Sequence, residues 1–259
     1  MSPYYTILIP ALSLALFATF EWYAPRRRLT MHRLWRWPNN VFVFIATKIF
    51  FRFTFQLAAP AAAFIAEYQH WGLLHWLPCP FWVACIATFL LFDFSNYVLH
   101  VAFHRFIWMW RIHRVHHCDP DFDVTTSLRS HPVDLLVTNF SHLALAFIVG
   151  LPAVAVIAFQ FYSGLIGKFC HSNINVPVAV DRWLRLIMIT PDMHRVHHSA
   201  WQTETDSNFS AVFPWWDWMF GTYRAQPIAG HDAMTIGLEY SRTQADQRGD
   251  RLLLMPFKK

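Results

Sequence analysis

The chain has 259 residues, of which 55% are hydrophobic, 18% aromatic and only 14% charged. Soluble domains carry nearer 25% charged residues, so this composition leaves too little polar surface for a water-soluble globule of this length. The net charge of +5 sits beside apolar stretches, which fits membrane topology signals and excludes a nucleic-acid-binding face.

The predicted elements are helices throughout. A bilayer core of roughly 30 Å needs about 20 apolar residues per helix. Residues 4–22 meet that length. With no basic residue before the apolar run and no small-residue cleavage site, they read as a retained span and not a signal peptide. Residues 41–66 form a second span, with Lys48 and Arg52 inside it. Residues 81–99 form a third, interrupted by Asp93. Residues 135–169 are one apolar run broken at Gly150, Leu151 and Pro152, which reads as a helical hairpin. The expected class is an all-α integral membrane protein with about four transmembrane helices, or three plus a hairpin, under a cytoplasmic histidine-rich helical cap. Residues 1–80 would carry the N-terminal helices, 81–225 the catalytic domain and 226–259 a cytoplasmic tail.

Basic residues set the orientation. Arg26, Arg27, Arg28, Arg33 and Arg36 lie between the first two spans, Arg105, Arg111 and Arg114 follow the third, and residues 67–80 contain no Lys or Arg. All basic segments share one side if the N-terminus is outside. In an inner membrane that side is the cytoplasm. The tail from residue 171 reads as helices and loops folded against that face. The four cysteines, Cys79, Cys85, Cys118 and Cys170, form no CxxC pair, so neither a disulfide framework nor a cysteine zinc site is expected.

Histidine is the unusual residue. The pentapeptide HRVHH occurs twice, at 113–117 and 194–198. A lone helical histidine is ordinarily structural, but i, i+3 and i+4 spacing converges three imidazoles on one helical turn, and a second copy makes coincidence a poor account. At the end of the third span, His100 and His104 are also i and i+4, with Asp93 and Tyr97 on the same stripe. A carboxylate inside a span needs a partner, and Asp93 would orient a ligand histidine by accepting its second ring N–H. His100, His104, His113, His116, His117, His194, His197 and His198 are eight candidate metal ligands, and His171 is a ninth. His131, in R-S-H-P-V-D, is either a tenth or a hydrogen-bonded histidine at a loop-to-helix junction. One transition metal takes about four to six ligands, so this set fits two ions. Imidazoles suit Zn, Cu, Fe or Ni. Unactivated C–H bonds of lipid chains, the substrates at a membrane boundary, require a redox metal with O2, and iron is the natural choice.

The ordered set H-V-A-F-H, H-R-V-H-H and H-R-V-H-H resembles the fatty acid hydroxylase / sterol desaturase superfamily of integral-membrane diiron enzymes. D-P-D-F-D-V-T-T-S-L-R-S-H-P, H-S-N-I, T-P-D-M-H-R-V-H-H-S and E-T-D-S-N-F-S…W-D-W-M-F-G-T-Y extend the resemblance over residues 85–225, toward its bacterial branch. The resemblance implies two iron ions, O2, a membrane-lipid substrate and an external electron donor, a ferredoxin or small cytochrome, for hydroxylation or desaturation. A basic face around Arg105, Arg111, Arg114 and Arg195 would suit an acidic donor. Relatives often carry a further histidine where this chain has Gly167, so either His131 substitutes or one iron keeps an open position. Asp206 and Asn208 are either partners that steady the last cluster or turn caps.

Two other classes compete. A membrane metal transporter would place its ligands near mid-depth on broken helices. A bis-histidine haem carrier would leave the HxxHH turns unexplained. Boundary placement and ligand number favour the oxygenase.

Overall fold

The computed structural model describes residues 3–54, 58–77 and 79–258. Helices α1 (Pro3–Tyr23), α2 (Arg33–Thr54), α3 (Ala59–Gln69), α4 (Leu73–Trp76), α5 (Phe81–Arg105), α6 (Ile107–His117), α7 (Pro132–Val149) and α8 (Ala153–Cys170) are followed by the short helices α9 (Val178–Leu184), α10 (Pro191–His197), α11 (Gln202–Thr205), α12 (Trp215–Phe220), α13 (Gly230–Ala233) and α14 (Gly249–Leu254). Among the described residues, the only extended pairings are isolated bridges, Pro25 with Ile174 and Ser199 with Ile236. The protein is an all-α membrane protein. Helices α5, α7 and α8 are each long and apolar enough to cross a bilayer.

The hairpin expected over 135–169 forms as α7 and α8. Gly150 caps α7 in the left-handed region at φ 73°, a conformation in which a side chain is strained. A Cβ on Gly150 would also stand 2.5 Å from the Trp71 carbonyl oxygen, so the hairpin tip abuts the α3–α4 turn directly.

The single span expected over 41–66 is corrected. Residues 33–69 run from the histidine end of the bundle to the hairpin tip as two helices, α2 and α3, with residues 55–57 outside the described residues. Ala58 is extended and Pro60 sits in the first turn of α3, where its fixed φ and missing N–H start a helix well and continue one badly. Ala59, Ala62, Ala63 and Ala66 form a fully buried small-residue face of α3. Small residues let helices approach closely, and α3 packs this face on α7 and α8. The core continues through Phe92, Phe159, Val156 and Leu151.

The D-P-D-F-D motif docks the N-terminal arm beneath the histidines. Arg36 donates to both carboxylate oxygens of Asp119 at 2.8 Å and to Asp123 at 2.6 Å, and all three side chains are fully buried. Burial alone would raise the Asp119 carboxyl, but the Arg36 and Arg129 guanidinia outweigh it and hold it well below the usual carboxylate range. Asp121 accepts the backbone N–H groups of Thr30 and Met31.

Candidate metal centre

Nine histidines converge at one end of the bundle in two groups. His100, His104, His113, His117 and His197 form the first, and His116, His171, His194 and His198 the second; within each, the nitrogens on offer all lie within 4.8 Å of one another. Helical periodicity explains the division. In each HRVHH copy the i and i+4 rings share a face and enter the same group, His113 and His117 in the first and His194 and His198 in the second. The i+3 ring of each copy, His116 or His197, points to the other group. The repeat therefore stitches the two groups together.

The hydrogen bonds fix most tautomers. A carbonyl oxygen only accepts, so Nδ1 of His100 facing Phe209 O (2.7 Å), of His197 facing Ser207 O (2.8 Å) and of His171 facing Gly167 O (2.5 Å) must each carry the proton. His113 Nδ1 donates to Asp134 at 2.7 Å and His104 Nδ1 to Asp206 at 3.2 Å. Thr205 gives its one hydroxyl proton to His197 O, so it accepts from His117 Nδ1 at 3.4 Å. All five rings of the first group, and His171 in the second, therefore turn a bare Nε2 lone pair inward.

Those lone pairs have no protein donor to meet. Nε2 of His100, His113 and His197 is buried without any partner. The Nε2 atoms of His104 and His117 stand 3.2 Å apart, and His171 Nε2 stands 3.0 Å from both His116 Nε2 and His194 Nε2. With metal–nitrogen bonds of about 2.1 Å, ligands at a right angle stand about 3.0 Å apart and tetrahedral ones about 3.4 Å. The observed separations fall in that range, so the donor set fits a metal ion in each group. Burial, then neighbouring imidazoles, hold His116, His117, His194, His197 and His198 well below their ordinary pKa, which keeps the rings neutral and their lone pairs available.

His131 joins neither group. Its Nδ1 accepts from Val133 N at the start of α7 and its Nε2 faces Leu253 O, which is the loop-to-helix junction role. Nothing lies within 4 Å of a Cβ built on Gly167, so no histidine of either group stands against that Cβ position.

Asp93 touches no histidine. Its carboxylate accepts the backbone N–H of Val212 and Phe213 at 3.0 Å and the Trp216 indole N–H at 2.9 Å. Asp206 does reach a candidate ligand, His104. Asn208 adopts φ 52°, donates to Met193 O and Arg224 O and accepts from Arg224 N, without contacting a histidine. Arg195 is corrected as part of a basic face: it is fully buried, paired with Asp192 and stacked 5.3 Å over Phe122. Sequence reasoning missed Asp134, Thr205 and the carbonyls of Ser207 and Phe209. Backbone acceptors have no sequence signature, and Asp134 lies 21 residues from the ring that it steadies.

A family model described as fatty acid hydroxylase matches residues 85–222, which enclose all nine histidines. Alkylglycerol monooxygenase of Homo sapiens is 31% identical over 141 residues, 54% of this chain and 30% of that protein. Ornithine lipid hydroxylase OlsE of Rhizobium tropici is 26% identical over 183 residues, 71% of this chain and 54% of that protein. Very-long-chain aldehyde decarbonylase GL1-8 of Oryza sativa subsp. indica is 28% identical over 160 residues, 60% of this chain and 59% of that protein. The chain thus spans between 30% and 59% of the length of these relatives. No solved structure matches it. On the family match and on the paired histidine groups that it encloses, the chain belongs to the fatty acid hydroxylase family.

Proposed function

We propose that the protein is a membrane-bound, O2-dependent lipid hydroxylase holding two iron ions. His100, His104, His113, His117 and His197 hold one, and His116, His171, His194 and His198 the other. The observation that carries this reading is the inward set of lone pairs in two groups at one end of an apolar bundle. Iron bound there supplies the redox chemistry with O2 that breaking an unactivated C–H bond demands.

The chain's own residues prepare that site. Asp134 and Asp206 fix the tilt of His113 and His104, and backbone carbonyls do the same for His100, His171 and His197. Phe209 packs on His100, His104 and His197, with ring centres 5.1–5.6 Å apart, and Phe122 packs on His171, His194 and His198 at 5.1–6.2 Å. These rings exclude water from both groups. The second group offers four nitrogens where the first offers five, so an iron held there would have one ligand fewer and could take up O2. Asp93 and Asn208 act on the fold of the segment that carries Phe209.

Electrons come from a separate protein, a ferredoxin or small cytochrome. Trp110 lies 5.0 Å from His104 and 5.4 Å from His117, beside the exposed Arg105, and this is the face we assign to the donor. Arg111 and Arg114 flank it, each donating to the Lys258 carbonyl. The arginines of residues 26–36 lie at the histidine end, which supports an inner-membrane protein with its metal centre on the cytoplasmic side. Metal transport fits less well, because both groups lie at one end of the bundle and not at mid-depth.

The test is mass spectrometry of lipids from cells that express the chain or its His197→Ala variant under heavy-isotope O2. A lipid carrying the label only with the unaltered chain is expected. A new double bond without label would move the reaction to desaturation, and no lipid difference in a host that makes alkyl, acyl and sterol lipids would overturn the reading.

A further inference from the structure

The segment after the second HRVHH copy does not stay at the histidine end. Phe209 lies against His100 and His197, yet Val212 and Phe213 donate to Asp93, and Phe213 and Trp215 line a groove with Cys85, Ile86, Phe89 and Leu90 of α5. The chain then returns. Trp216 packs 4.8 Å from Phe94, Phe220 5.4 Å from Tyr97, and Tyr97 donates its hydroxyl to Thr222. Asn208 N donates to Thr222 O at 2.9 Å and closes the base.

Two rulers place the apex. Twelve residues of helix, about 18 Å, separate Asp93 from Arg105 at the histidine end. Independently, Phe92 stacks 4.3 Å from His142, Ser95 shares a 2.7 Å hydrogen bond with Ser141, and Phe89 lies 5.5 Å from Phe159. These partners are near the middle of α7 and one-third along α8. Asp93 is therefore level with the middle of a hydrocarbon layer of roughly 30 Å, and the segment beside it is at the same depth.

Irregular backbone survives at that depth only when its polar groups are satisfied within the protein. Here they are. Asp93 takes the N–H groups of Val212 and Phe213, Asp217 takes those of Phe209 and Ser210, Val212 O accepts from Ile189 N, and the indoles of Trp215 and Trp216 donate to Leu186 O and Asp93. The outward face is apolar: Trp218 is 41% exposed, Met219 66% and Phe220 52%.

We propose that residues 208–222 form a re-entrant loop seated in the hydrocarbon layer beside α5. Its outer face meets lipid chains, and the apolar groove of about 410 Å³ between Phe213, Trp215 and α5 holds an alkyl chain. The loop joins the metal end to mid-bilayer along one wall. The proposal rests on the reading of α5, α7 and α8 as membrane spans.

The test uses the full chain in lipid nanodiscs, where both faces are open to reagent, with Cys79→Ser and Cys85→Ser as background. A charged maleimide should modify Met219→Cys roughly ten-fold or more slowly than Tyr240→Cys, because charged reagents are excluded from hydrocarbon. Phe140→Cys, on the exposed face of α7, should be equally protected. A phospholipid with a mid-chain diazirine should cross-link residues 213–220 of the unaltered chain. Labelling of Met219→Cys at the Tyr240→Cys rate, with Phe140→Cys protected, or no cross-link within 208–222, would overturn the loop alone. Fast labelling of Phe140→Cys as well would overturn the spans and the loop with them.

Discussion

His113 Nδ1 lies 2.7 Å from Asp134 Oδ2, with both side chains about nine-tenths buried. The carboxylate reaches across from the first turn of α7 to α6 and fixes which ring nitrogen faces the other histidines. Partners of this kind tune metal affinity by about 10- to 100-fold. Asp134→Asn should bind iron in the first group more weakly by that factor. Equilibrium dialysis against iron, with circular dichroism to check folding, measures it, and an unchanged affinity would remove Asp134 from the site.

His131 makes the opposite case. As the cap of α7, it satisfies the Val133 N–H. His131→Ala should lose about 1 kcal/mol of stability, the usual cost of a lost N-cap, while binding as much iron as the unaltered chain. His116→Ala should lose metal. A metal count that falls equally in both variants would make His131 a ligand after all.

The histidine groups also predict a stability cost for removing metal. Burying six imidazoles with their Nε2 lone pairs turned inward, among them the partnerless Nε2 atoms of His100, His113 and His197, leaves buried acceptors without donors, a cost that a bound cation removes. A metal that binds only the folded state adds about 2.7 kcal/mol at a hundred times its dissociation constant. Chelation in detergent should therefore lower the unfolding temperature, and iron should restore it. An equal unfolding temperature with and without chelator would mean that the groups fold as well empty.

Much of this was legible in the chain. The rings of the two HRVHH copies and of His100 with His104 share faces as helical spacing implied, His171 joins one of the groups, and Gly150-Leu151-Pro152 marks a real hairpin tip. Asp93 shows the limit of periodicity. It shares a helical face with His100 but lies seven residues away, about 10 Å along the axis, beyond the reach of a carboxylate. Its partners come from residues 212–216, and no local pattern announces a contact at that separation. The α2–α3 break was hidden for another reason. Apolar residues dominate 41–66 on both sides of the break, and only Pro60 signals a new helix. The division of each pentapeptide between two groups also needed the fold, because spacing says which rings share a face but not what each face meets.

The D-P-D-F-D motif carries the last prediction. Asp119 and Asp123 are fully buried and share one guanidinium, Arg36, at 2.6–2.8 Å. Asp119 follows His117 by two residues, so this ion cluster anchors the C-terminal end of α6 to α2. Arg129 also pairs with Asp119 at 3.3 Å, so losing Arg36 leaves two buried carboxylates with one cation, and removing one partner of a buried pair costs about 3–5 kcal/mol. Arg36→Met preserves volume but not charge and should unfold at markedly lower temperature. Asp121→Asn touches only the exposed arm, through Thr30 and Met31, and should cost far less. Because the cluster lies beneath the histidines without touching them, the surviving folded fraction of Arg36→Met should bind iron with near-normal affinity. Weak iron binding by that fraction would mean that Arg36 shapes the metal centre itself.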